Sequence, residues 1–127
     1  GKNEDALKLL LEQLPKIKSP ELTRQYLSMI TETYIRLNNL EEAEKYALNF
    51  AETNPEDPIS FYNLSKIYLS KSEVEQGSEY LMKAKALLNE KTPRFIADFI
   101  ADKFNEIGEY KLSAETLELI ANPNILS

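Results

Sequence analysis

Between residues 24 and 37 the apolar side chains fall at Tyr26, Leu27, Ile30, Tyr34 and Leu37, one face of a helix with 3.6 residues per turn. Between 58 and 70 they fall at Phe61, Leu64, Ile67 and Tyr68, the same arrangement. No stretch sustains strand-like alternation between turn signals. Start signals divide the chain further. Ser19-Pro20, Asp57-Pro58 and Thr92-Pro93 each set a capping side chain before a proline, a residue tolerated at a first helical position because its missing N–H would be unbonded anyway. Ser72 with Glu75 reads as a capping box, and Asn39 with Glu42 is a near relative. Together these predict helices near 3–14, 20–37, 40–53, 58–70, 73–88, 93–107 and 110–121. Short connections between such helices favour antiparallel pairs.

The chain also repeats itself. The stretch YIRLNNLEEAEKYALNFAETNP from Tyr34 returns as YLSKSEVEQGSEYLMKAKALLN from Tyr68, so that Tyr34, Leu40, Ala43 and Tyr46 meet Tyr68, Val74, Gly77 and Tyr80 at a constant offset of 34 residues. A third copy, FNEIGEYKLSAETLELIANP, begins at Phe104, 36 residues further on. Fixed periods of this length mark repeat architectures. Thr31, Ser65 and Ala101 are small on the first helices, and Ala43, Gly77 and Ser113 are small on the second. Small side chains at a crossing let two helices approach to the short end of the usual interaxial range of about 8–10 Å. A bulky residue at Gly77 is expected to overpack that crossing.

These residues resemble the tetratricopeptide repeat (TPR) pattern: a large residue, Leu, a small residue and Tyr on a first helix, then small and large slots on a second, then Pro. Leu27, Ile30, Thr31 and Tyr34 match the first part, followed by Ala43, Ala47 and Pro55. Phe61, Leu64, Ser65 and Tyr68 match next, followed by Gly77 and Leu81. Ala97, Ile100, Ala101 and Phe104 come third, followed by Ser113 and Leu117. The N-terminal NEDALKLLLEQL resembles the second helix of an earlier repeat, with Ala6 and Leu10 in the small and large slots. Three departures stand out. Ala47 occupies a usually aromatic slot, with Phe50 nearby to fill the volume. Pro123 comes two residues early relative to Pro55, and the third junction is two residues longer.

The resemblance implies an all-α fold, a right-handed α-solenoid of antiparallel helix pairs. It would hold about seven helices, half a repeat plus three TPR-like repeats. The implied single TPR domain covers 1–127: 1–19 as a preceding second helix, repeats at 20–57, 58–91 and 92–123, and a tail at 124–127. Leu7, Leu9, Leu10, Leu11 and Leu14 at one end, and Leu112, Leu117, Leu119 and Ile120 at the other, exceed one narrow stripe. The expectation is an excerpt from a longer array, or a homodimer formed through exposed helix ends.

Composition narrows the function. Fifteen Lys and Arg face 21 Asp and Glu, a formal net charge of −6, which argues against phosphate-backbone binding and against an anionic membrane surface. That balance also argues against the related pentatricopeptide RNA-binding class. No Cys and no His are present, so thiolate nucleophiles, imidazole bases and Cys/His zinc sites are excluded. No apolar run approaches the roughly 20 residues needed to span a bilayer, so direct membrane insertion is not expected. Glu41, Glu42 and Glu44 sit in the first turns of their helix, where carboxylates complement the helix dipole and need no partner. No catalytic residue, no metal ligand and no cofactor site is assigned. The compartment stays open, with the cytoplasm the first expectation.

In the family, the concave side lined by first helices commonly receives a peptide or a partner helix. Carried over residue by residue, that lining includes Tyr62, Asn63 and Lys66 from one repeat and Phe95, Asp98, Phe99 and Asp102 from the next. Asp98, Asp102 and Glu106 stand four residues apart and form one acidic row, with Phe95 and Phe99 beside it. One TPR class clamps the C-terminal carboxylate of cytosolic chaperones with Lys, Asn and Arg. Only Asn63 keeps that pattern here, and Phe95 and Phe99 replace the last cations, so chaperone-tail binding is not expected. The expected function is a non-enzymatic scaffold for protein–protein interaction, binding a protein or peptide with basic and apolar residues. The alternative is a regulatory or oligomerisation module of a larger enzyme or of a secretion or assembly protein.

Overall fold

A computed structural model describes residues 1–122 of the 127. Among the described residues it is all-α, with seven α-helices and no strand. The order is α1 (Lys2–Gln13), a 3-10 turn at Leu14–Lys16, α2 (Pro20–Arg36), α3 (Leu40–Thr53), α4 (Pro58–Ser70), α5 (Val74–Leu87), α6 (Arg94–Glu106) and α7 (Tyr110–Ala121). Each helix lies within one residue of its predicted bounds. The chain divides into two compact units, Gly1–Pro55 and Glu56–Ser127. Pro123, the last proline of the repeat pattern, lies outside the described residues.

Two of the predicted proline starts form as expected. Ser19 Oγ accepts from the Leu22 N–H at 3.2 Å, and Asp57 Oδ1 accepts from the Ile59 N–H at 2.9 Å, each with Pro at the first helical position. The third does not. Pro93 is itself the cap residue of α6 and Thr92 lies outside the helix. The Thr92 hydroxyl accepts from the Asn89 N–H at 3.0 Å, and the Thr92 N–H donates to the Asn89 carbonyl at 3.0 Å. The longer third junction is thus taken up by a turn that consumes the side chain predicted to cap.

The predicted capping box at Ser72 is also corrected. Ser72 has φ 63° and Glu73 is the cap residue of α5, without a side-chain bond. At Asn39 the cap position is right, but its side chain makes no capping bond. The reason is a turn common to all three helix pairs. Asn38, Ser72 and Gly108 all have positive φ, at 58°, 63° and 86°. The next N–H returns to a carbonyl five residues back: Asn39 to Tyr34 at 2.9 Å, Glu73 to Tyr68 at 2.9 Å and Glu109 to Phe104 at 2.8 Å. The left-handed residue itself donates three residues back, to Ile35, Leu69 and Asn105. This pair of bonds is the Schellman helix stop, which satisfies carbonyls that the helix end would otherwise orphan.

In the first unit α1 packs on α2 and α2 on α3. Ile30, Thr31, Ala43, Ala47 and Phe50 are buried, so the aliphatic, small and aromatic slots of this pair all face inward. Tyr34 and Tyr46 stack with ring centroids 5.6 Å apart. Helix α1 has no buried residue: Ala6 is exposed and Leu10 half-buried.

In the second unit α4 pairs with α5, α6 with α7, and α6 packs across the α4/α5 pair. Its core is Tyr62, Leu81, Ala84, Leu88, Ile96, Ala97, Ile100 and Phe104. The small slots are all buried here too: Ser65, Gly77, Ala101 and Ser113. A Cβ on Gly77 would stand 2.7 Å from Leu69 Cδ2 and 2.8 Å from Leu69 Cγ, too close for any real contact. At the next crossing Ser113 Oγ donates to the Ala101 carbonyl at 2.7 Å. Tyr68 meets Tyr80 at 5.3 Å, twelve residues on, as Tyr34 meets Tyr46. The third copy has Phe104 and Thr116 at those places, both fully buried.

Candidate functional site

The residues singled out on α4 and α6 divide into an interior cluster and an open groove, all within the second unit. Tyr62 and Asn63, expected on an open face, are buried instead, at 8% and 3% exposure. What covers Tyr62 is α6. The rings of Phe99 and Phe95 meet it edge-on, with centroids 5.0 Å and 6.2 Å away and interplanar angles of 83° and 76°. Edge-to-face pairs of this kind add about 0.5–1.5 kcal/mol beyond area burial. The repeat pattern alone did not reveal this, because it gives the face of each helix and not which neighbour lies over it.

Lys66 is half-buried beside this aromatic group. Its ammonium donates to the Tyr62 hydroxyl at 3.3 Å and lies 4.9 Å from the Tyr62 ring centroid and 5.9 Å from that of Phe99. Lys103, which the sequence did not single out, sits 5.4 Å from the Phe99 centroid. Rings near ammonium groups gain cation–π attraction, and the lysine stems cover apolar surface. The Asn63 Nδ2 group is buried and makes no hydrogen bond among the described residues. An unmet buried donor costs about 1–3 kcal/mol.

The groove lies between α6 and α7 and has a volume of about 530 Å³. Phe95, Asp98, Phe99, Asp102 and Asn105 line it from α6, and Ser113 and Leu117 from α7. Thus the structure brings together the four α6 residues expected to meet a partner. Ala101 and Ser113 form its floor through their hydrogen bond. Leu117 is the large apolar groove residue that the lining prediction missed, along with the small Ala101 and Ser113. The signal for Leu117 was present, since it fills the large slot of the third copy.

Of the acidic row, Glu106 turns aside to pair with Lys103 at 2.8 Å. Asp98 lies 3.8 Å from Arg94, both well exposed, a pair worth little in water. Asp102 is exposed and carries no ion pair among the described residues. Two carboxylates four residues apart therefore face the same opening as Phe95 and Leu117. Carboxylates and large apolar side chains thus line one opening.

Among the described residues no three His, Cys, Asp or Glu converge as metal ligands, and no helix is long and apolar enough to cross a membrane. Comparisons with family models, curated proteins and solved structures returned no match to this chain.

Proposed function

We propose that this chain is a tetratricopeptide-like right-handed α-solenoid segment that acts without catalysis, as a scaffold binding a segment of another protein. The supporting observation for the repeat reading is the threefold recurrence of one helix-pair design. The same left-handed residue, the same two backbone bonds and the same buried small slots return at Asn38, Ser72 and Gly108. The supporting observation for partner binding is the open groove, in which Phe95 and Leu117 are more than half exposed beside two carboxylates. Large apolar side chains gathered at a concave, charged-rimmed opening are the usual mark of an interaction site. Asp98, Asp102, Phe95 and Phe99 are the contact residues, with Tyr62 and Lys66 holding the aromatic wall in place.

The test is retention of partner protein by the tagged chain, compared with Asp98→Lys/Asp102→Lys and with Phe95→Ala. The expected result is specific partners whose retention falls in both variants. Retention that neither variant changes would reject this surface as the binding site.

A further inference from the structure

We propose that the α6/α7 groove seats one amphipathic helix of a partner protein, basic at two positions four residues apart and aliphatic at the residue after each. This rests on the scaffold reading above and names its ligand.

The molecule's own repeat supplies the template. At the 36-residue offset, Asp98 corresponds to Tyr62, Asp102 to Lys66, Asn105 to Leu69, Ala101 to Ser65, Ser113 to Gly77 and Leu117 to Leu81. The groove is therefore the same face of the same helix pair, one copy later. On the α4/α5 pair that face is occupied: α6 lies on it, and Tyr62 and Leu81 share one buried cluster with Ile96 and Ile100. On the α6/α7 pair no described residue occupies it. Leu81 is 0% exposed, whereas Leu117 is 53% exposed. A face whose counterpart holds a helix has the width and curvature to hold another.

The register of α6 then specifies the chemistry. α6 turns Phe95 and Phe99 toward Tyr62, and Ile96 and Ile100 toward the cluster that contains Leu81. A helix seated likewise one copy later would turn its corresponding residues toward Asp98 and Asp102, and its following residues toward Leu117. Phenyl rings there would strip water from both carboxylates, leaving Asp102 buried without a counter-charge and Asp98 with only its exposed Arg94 at 3.8 Å, which is costly. Lys or Arg at those two positions satisfies them. A second copy of α6 fails this requirement because it would bring Phe95 and Phe99. A second whole chain would also add another net charge of −6.

The probe is a labelled peptide with the sequence of residues 93–106 carrying Phe95→Arg and Phe99→Arg. Its binding to the intact chain is followed by anisotropy at about 0.15 M salt, and its helicity by circular dichroism. It is expected to bind at least about tenfold tighter than the unsubstituted peptide, a factor equal to roughly 1.4 kcal/mol, and to become helical on binding. Leu117→Asp in the chain weakens it. Asp98→Lys/Asp102→Lys abolishes it and transfers preference to a peptide with Glu at the same two places. Both sites are exposed, and unchanged circular dichroism of the chain confirms that the variants fold. Equal binding of a peptide that also carries Ala97→Pro would overturn the helical seat while leaving the scaffold reading intact. No preference for the Arg peptide would also overturn the seat. The scaffold reading is judged separately by protein retention.

Discussion

Gly108 adopts φ 86° with no atom within 4 Å of where a Cβ would stand, so its role is conformational and owes nothing to space. The same turn position holds Asn38 and Ser72 in the other copies. Left-handed backbone costs an L-residue roughly 1–2 kcal/mol, less for Asn, and little for Gly. Gly108→Ala is therefore expected to destabilise the protein by about 1 kcal/mol. Ser72→Gly should stabilise it by a smaller amount, about 0.5 kcal/mol, because the extra freedom of Gly in the unfolded chain offsets part of the relief. Denaturant midpoints of the two variants should move in opposite directions. Gly77 is the converse case, where space decides. Leu69 stands where a Cβ would go, with its backbone nitrogen 3.3 Å away. Gly77→Leu is expected to cost on the order of 1–3 kcal/mol by forcing α4 and α5 apart. An unchanged midpoint would remove the close crossing from this account.

Between elements, one ion pair ties α5 to α7. Lys85 Nζ donates to Glu115 Oε2 at 3.0 Å. That hydrogen bond first, and the attraction of the same ammonium second, hold the Glu115 carboxyl below its ordinary value of 4.5. A depressed carboxylate contributes stability that is present above the unfolded value and lost as pH falls through the folded one. Glu115→Gln should therefore lower the midpoint at neutral pH and have no effect at a pH acid enough to protonate the carboxyl in both the folded and the unfolded chain. Melts of the two proteins at the two pH values check this. A difference that persists in acid would mean that the substitution acts through packing. The helices themselves were legible in the sequence, because capping prolines, apolar spacing and turn residues are local. Thr92 and Ser72 were misread since each side chain has two local uses. Tertiary spacing of the junction sent Thr92 into a turn, and the Schellman stop sent Ser72 into left-handed backbone.

At the scale of the molecule, the core around Ile96 and Ile100 is complete within the second unit. The first unit depends on fewer buried apolar residues, and α1 contributes none. A fragment spanning 56–127 is expected to keep its helical circular dichroism and melt in one cooperative transition, as small single cores do. A fragment spanning 1–55 should melt lower and more broadly. Loss of helicity in the 56–127 fragment would show that its core needs the rest of the chain.

The sequence by itself determined the all-α class, the seven helices, the repeat spacing and the small residues at each crossing, because these follow from rules that act within a few turns of chain. It also set the acidic balance and the absence of Cys and His. Only the tertiary structure decided which helix faces are covered. It buried Tyr62 and Leu81 and half-buried Lys66 beneath a neighbour, and left their counterparts Asp98, Leu117 and Asp102 open. The physical reason is that a repeat gives every copy the same faces, while burial depends on what packs against each face.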